Sequence, residues 1–357
     1  MQDSNMNNIT VKKNGCFFKG IILLVVLFAF IIISTITLFS IVAHFSSKIK
    51  LSDKPLNAKK SFSAVYHSGN RKSKNKIVLI NIKGLIADSN ISWSQTATSE
   101  NICDKLNMAS SDKNVKAIIL YINSPGGEIT SVDRIYHTIQ ILRKQNIPVV
   151  AFLGSIAASG GYYLAAGSDI IIANRLTITG SIGVIINNIK YYNLLNKIGV
   201  EDDVYKSGKM KDILNPARPS NKVEKIIIQN LVMESYNEFV DIVSKGRVTK
   251  NKKLTVDYIK TSIVGDGRIF SGKQALKLGL VDDLGYFSDS VNAARKSAKL
   301  NKNNYQIITY DENLSFSDLI KRLVYKNTSI NIDIPTINRL CKIDSGKLYY
   351  LYPGWLQ

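Results

Sequence analysis

Residues Gly154 to Val184 read GSIAASGGYYLAAGSDIIIANRLTITGSIGV, and the rest of the chain is understood from this stretch. Small residues crowd around Ser159, two glycines follow it, and Tyr162 to Ala166 are helix formers. A serine on such a turn presents its hydroxyl, and the glycines let a substrate come close to the backbone. Ser159 is therefore a candidate nucleophile.

Upstream, IVLINIKGLIA (Ile77 to Ala87) is a β-rich apolar run, Ser92 to Ser111 a helix, and VKAIILYIN (Val115 to Asn123) a buried strand. Ile129 to Lys144 carries apolar residues at helical spacing, and PVVAFLG (Pro148 to Gly154) is the next strand. Strands alternating with helices predict an α/β fold with a parallel sheet of βαβ units. Downstream, the pattern predicts a short helix over Tyr191 to Ile198 and a strand over Glu201 to Tyr205, which runs into KSGKMKDILNPARPS. A long amphipathic helix follows from about Asn221 to Lys245, and GRIFSGKQALKLGLVDDLG (Gly267 to Gly285) supplies a turn, a helix and a last strand-like segment. No internal repeat is evident, which argues against a tandem duplication.

The 357 residues carry 47 Lys+Arg against 27 Asp+Glu, a net charge of +20. The lysines are scattered through an Ile- and Asn-rich chain without a nucleic-acid motif, so no nucleic-acid partner is expected. Three cysteines far apart in sequence form neither a disulfide framework nor a metal-ligand spacing, and no metal or cofactor is expected. After a polar tail (1–20), the run 21–43 has no charge and is long enough for a helix to cross a bilayer core of about 30 Å, so a single uncleaved membrane anchor is expected. A cleaved signal peptide would have a shorter apolar region and a small-x-small site. Residues 44–76 read as a solvated stalk, 77–298 as the globular domain and 299–357 as a C-terminal extension. Lysines cluster after the apolar run, which by the positive-inside rule points to a cytoplasmic domain, although long domains escape that rule.

A serine hydroxyl needs a base beside it. The chain has three histidines, His44, His67 and His137, and nothing acidic is placed to orient His137 as a triad requires. The alternative is a neutral lysine, and KSGKMKD offers Lys206, Lys209 and Lys211. A lysine ordinarily titrates near 10.4, so making it neutral at physiological pH costs about 4 kcal/mol and needs desolvation. Residue type alone leaves these three open. NSPGGE (Asn123 to Glu128) adds a Pro-Gly-Gly turn after a buried strand, where free backbone N–H groups could face a cleft and hold an oxyanion together with that of Gly160.

Taken in order and spacing, NSPGGE, IAASGGYYLAAGSD, TGSIGV, KSGKMKDILNP and GRIFSGKQALKLGLVDDLG resemble the SppA-type signal peptide peptidases, Ser-Lys proteases of the ClpP/crotonase superfamily. The resemblance covers about Ile77 to Ala298. It implies a ClpP/crotonase-like fold of stacked βαβ units, Ser159 as nucleophile, Lys211 as general base, Ser181 as the hydroxyl that orients the lysine, and Gly127 and Gly160 as oxyanion-hole backbone positions. It also implies the short form of the family: a homo-oligomer whose dyad can be completed between neighbours, cleaving remnant signal peptides or other hydrophobic peptides. The family topology is a bacterial inner-membrane protein with its protease domain extracytoplasmic, in the periplasm. Two alternatives follow from the same residues, a quality-control protease of the NfeD-partnered type and a catalytically silent scaffold or acyl-CoA binder.

Overall fold

The structure is a computed structural model that describes residues 26–37, 40, 62–89, 96–313 and 349–351. The chain divides into two compact units, Met1–Lys59 and Lys60–Gln357. In the first, residues 26–37 form helix α1, whose apolar side chains are exposed. Thr35 and Thr37 turn their hydroxyls back onto the carbonyls of Ile32 and Ile33, so neither leaves an unpaired polar group on an apolar helix. Among the described residues no helix is long and apolar enough to cross a membrane; the rest of the 21–43 run lies outside them.

The second unit is built on a nine-stranded sheet. Its path is β1 (Phe62–Gly69), β12 (Gln306–Glu312), β2 (Lys76–Lys83), β5 (Val115–Ser124), β7 (Val149–Ala158), β8 (Ile170–Ala173) and β11 (Asp283–Leu284). All neighbours on this path are parallel except β1 and β12. A parallel sheet needs both faces covered, and the near-continuous apolar runs of β2 and β5 meet that need. Side chains alternate: Val78, Ile80, Ile118 and Leu120 join the core containing residues of helices α2 (Ser99–Ser111), α3 (Ile129–Lys144), α4 (Gly160–Ala166) and α6 (Lys222–Arg247). Ile77, Leu79, Ala117 and Ile119 pack on the other face with Ala294 and Phe287 of α9 (Phe287–Ser297). The parallel α/β expectation is thus met.

Several boundaries differ from the sequence reading. Residues 62–69, expected as stalk, are β1, and part of the expected C-terminal extension is β12, wedged between β1 and β2. Both strands lie at one side of the sheet, where β1 faces mostly solvent and carries no core-like apolar run to betray it. The helix expected over 92–111 starts at Ser99, and residues 90–95 lie outside the described set. Glu201 to Tyr205 form no strand; they are exposed and add to neither sheet. Beyond these, α5 (Tyr192–Ile198), α7 (Val256–Thr261) and α8 (Gly272–Leu278) complete the helices among the described residues.

A smaller sheet of β13 (Tyr349–Leu351), β6 (Gly126–Glu128), β3 (Leu85–Ala87) and β4 (Thr96–Thr98) stands at the carboxyl ends of β2 and β5. Strand β7 divides its partners. Val150 to Leu153 pair with β8, whereas Ile156 to Ala158 pair with β9 (Ile178–Gly180), which in turn pairs with β10 (Ile269–Ser271). Ligands of parallel sheets bind at the carboxyl ends of strands where neighbours part, and β7 ends there on Ser159.

Candidate active site

Ser159 joins β7 to α4 with φ 52 and ψ −116, a conformation that a non-glycine residue adopts at a cost of about 1–3 kcal/mol. Two backbone bonds hold it there: its N–H donates to the Gly180 carbonyl at 2.8 Å, and its own carbonyl accepts from Tyr163 N–H at 2.9 Å. The residue is fully buried, and its Oγ makes no hydrogen bond among the described residues. A buried hydroxyl without a partner is rare, because it forfeits the water it would otherwise bind. It fits a hydroxyl whose partner arrives with the reaction.

The NSPGGE turn reaches the same place. Ser124, at the end of β5, folds its Oγ over the turn to accept from Gly126 N–H at 3.1 Å, and β6 starts there. A Cβ on Gly160 would stand 2.8 Å from the Val132 side chain and 3.2 Å from the Gly126 Cα, so only glycine lets α4 begin against β6. Gly127 is equally confined, since a Cβ would lie 1.9 Å from the Ile86 carbonyl oxygen. The glycine backbones of β6 and the first residue of α4 therefore meet beside Ser159. Strand β13 runs antiparallel along β6, with Tyr350 opposite Gly127. The Tyr350 ring is buried against Tyr163 and Phe239, and its hydroxyl donates to the Ser235 carbonyl.

Ser181 follows β9 with φ 51, and its N–H donates to the Arg268 carbonyl at 2.8 Å. It is buried next to the Ser159 strand. Lys211 is elsewhere in character: it sits on an irregular segment of turns, exposed, and forms no hydrogen bond with Ser159 Oγ. Within one chain the hydroxyl of the expected nucleophile and the amine of the expected base share no hydrogen bond. Lys209 is exposed too, while Lys206 pairs with Asp212 at 2.7 Å. His137 lies exposed on α3, and His67 is exposed on β1. Tyr162 and Tyr163 are core: their hydroxyls donate to the Leu280 carbonyl and to Asp133, and burial pushes both phenols well above their ordinary range. A cavity of about 500 Å³ lined in part by Asn188, Lys190, Leu214 and Glu224 contains none of the expected site residues.

The sequence reading missed an ionic cluster beside Lys211. Arg218 Nε donates to Asp212 Oδ2 at 2.7 Å and Arg218 Nη2 to the Asp212 carbonyl at 3.0 Å, while its guanidinium also pairs with the buried Glu224. Hydrogen bonds from Arg218 and then Lys206 hold the Asp212 carboxyl far below the usual carboxylate range, and Arg218 lowers that of Glu224. One signal was available: Asn221 and Glu224 have the spacing of a capping box and form one.

Residues 141–301 match peptidase family S49. A Synechocystis protein named as a protease is 37% identical over 249 residues, 68% of this chain and 86% of that protein. The chain belongs to peptidase family S49, the SppA-type proteases. A protein of Enterococcus faecium carrying the name signal peptide peptidase SppA is 40% identical over 64% of the S49 chain and 65% of its own length. The Protease 4 of Haemophilus influenzae is 36% identical over 62% of the chain and 35% of its own. The S49 chain thus spans just under two thirds of the length of the Enterococcus relative and about a third of that of the Haemophilus one.

Proposed function

We propose that the protein is a serine endopeptidase acting through a Ser159–Lys211 dyad on hydrophobic peptides, with remnant signal peptides as the substrate class. The observation that carries this reading is the Ser159 hydroxyl, buried and unbonded on a strained turn between glycine backbones and Ser181. In the first step Ser159 Oγ bonds to the scissile carbonyl carbon while its proton passes to the neutral Lys211 amine. The N–H groups of Gly127 and Gly160 hold the oxyanion, each such donor being worth about 3 to 4 kcal/mol. The lysine returns the proton to the leaving amine, and the acyl-enzyme is hydrolysed by a water that the same lysine deprotonates. Ser181 is the hydroxyl that orients the lysine.

Homo-oligomerisation belongs to the same proposal. Lys211 is exposed and makes no hydrogen bond to the serine hydroxyl, and Leu194, Ile198, Val223 and Ile226 leave apolar surface on α5 and the start of α6. A neighbouring copy covering that surface would desolvate a lysine and could bring it to Ser159. The ClpP/crotonase-like fold, the single anchor over 21–43 and a domain on the outer face of a bacterial inner membrane complete the reading, supported by the uncharged run and the family. The substrate class rests on the name of the Enterococcus relative.

A fluorophosphonate probe tests the nucleophile. Labelling of the wild type and none of Ser159→Ala is expected; equal labelling of both would count against the dyad.

A further inference from the structure

The segment that carries Lys211 has little structure of its own. Between Val204 and Ser220 it makes only short turns, such as Lys211 N–H to the Gly208 carbonyl at 3.0 Å, and nearly every side chain up to Lys211 is exposed. A base must be held to within a fraction of an ångström, so something outside the turns has to fix it. Lys190 and Asn188 grip the far end, at the Asn215 and Leu214 carbonyls. Next to Lys211 itself the grip is Arg218, which clasps both the carboxylate and the carbonyl of Asp212. Its other edge holds Glu224, itself locked by the Asn221 capping box at the start of a helix whose far half is core.

The cluster also settles where the nearest negative charge goes. Asp212 adjoins Lys211 in the chain, and a free carboxylate there would hold the lysine in its charged, useless form. Both Asp212 oxygens are taken, one by Lys206 and one by Arg218. The other charged groups around the loop include Lys209 on it, the exposed Glu201, Asp202 and Asp203 before it, of which Asp202 accepts from Asn215 and Asp203 from the Tyr205 hydroxyl, Lys222 and Lys225 on the first turn of α6, Glu224, which Arg218 neutralises, and the half-buried Lys190.

We propose that Arg218 is a positioning residue for the Lys211 base: it anchors the loop to α6 and withholds the Asp212 carboxylate from the lysine. This rests on Lys211 acting as the base.

The test is peptide cleavage by the full-length, detergent-solubilised protein across a pH series. Arg218→Gln is expected to lower kcat about tenfold or more with KM little changed, since a small displacement of a reacting group costs up to about a hundredfold. The midpoint of the rise of activity with pH should move upward by about one unit as the freed carboxylate favours the charged amine. Adding Asp212→Asn to that variant should return the midpoint to the wild-type pH while kcat stays low. Arg218→Lys, which keeps the charge but not the fork, should fall between and serves if the glutamine variant does not fold. An unchanged kcat, or a lower kcat with an unmoved midpoint in both Arg218 variants, overturns the proposal alone. Full activity in Lys211→Ala overturns the base assignment and this proposal with it.

Discussion

Ala158 of β7 pairs with Gly180 of β9, and the next residue of each strand, Ser159 and Ser181, turns out of the sheet with nearly the same positive φ, 52 and 51. Adjacent strands lie about 4.8 Å apart, so the two serines leave the sheet as neighbours. The Ser159 N–H bond to the Gly180 carbonyl fixes this register. Two serines at positive φ side by side, both buried, are a costly arrangement for packing.

That strain yields a stability prediction. Ser159→Gly removes both the positive-φ penalty and the unbonded buried hydroxyl, while glycine adds unfolded-chain entropy. A net gain of about 1 kcal/mol in urea unfolding is expected, together with complete loss of peptide cleavage.

Mixing tests the shared dyad. Ser159→Ala and Lys211→Ala should each be inactive, and combining them under subunit exchange should restore part of the cleavage, because some neighbours then supply an intact serine beside an intact lysine. A mixture that stays inactive although both variants keep the wild-type oligomeric size would assign the dyad to a single chain. Lys209→Ala should retain most activity.

Arg247 on α6 is 1% exposed and holds Asp282 through both Nη atoms and the Gly279 carbonyl through Nε. Arg247→Ala leaves the Asp282 carboxylate without its main partner and is expected to cost about 3–5 kcal/mol in chemical denaturation. A loss below 1 kcal/mol would mean that water reaches the pair.

Alkali should unfold the domain early. Burial raises the phenols of Tyr162, Tyr163 and Tyr350, and that of Tyr310 to about 12. Each folded phenol keeps its proton where the unfolded one, near 10, has lost it, so the stability is intact below pH 10 and declines as pH rises towards 12. The loss reaches about 1.4 kcal/mol per pH unit for each such tyrosine, and circular dichroism between pH 9 and 12 would follow it.

The chain's own pattern determined the parallel α/β core and the turn bearing Ser159. Apolar strands such as Val115 to Ser124 and the glycines after Ser124 and Ser159 need nothing distant to be recognised, because burial on both faces and close backbone approach leave marks in residue type. Five motifs in order pointed to the family that the relatives bear out. Only the tertiary structure decided what depends on contacts between distant segments. Edge strand β1 faces mostly solvent and looks like linker, its partner β12 owes its place between β1 and β2 to pairing with segments more than two hundred residues away, and Tyr349–Leu351 owes its place on β6 to glycines equally distant. Arg218, Asp212 and Glu224 carry no periodic signature, since an ion pair is specified by where three side chains meet. The burial of Ser159 and the exposure of Lys211 are likewise decided by the fold, because whether a side chain meets solvent depends on which distant segments pack over it.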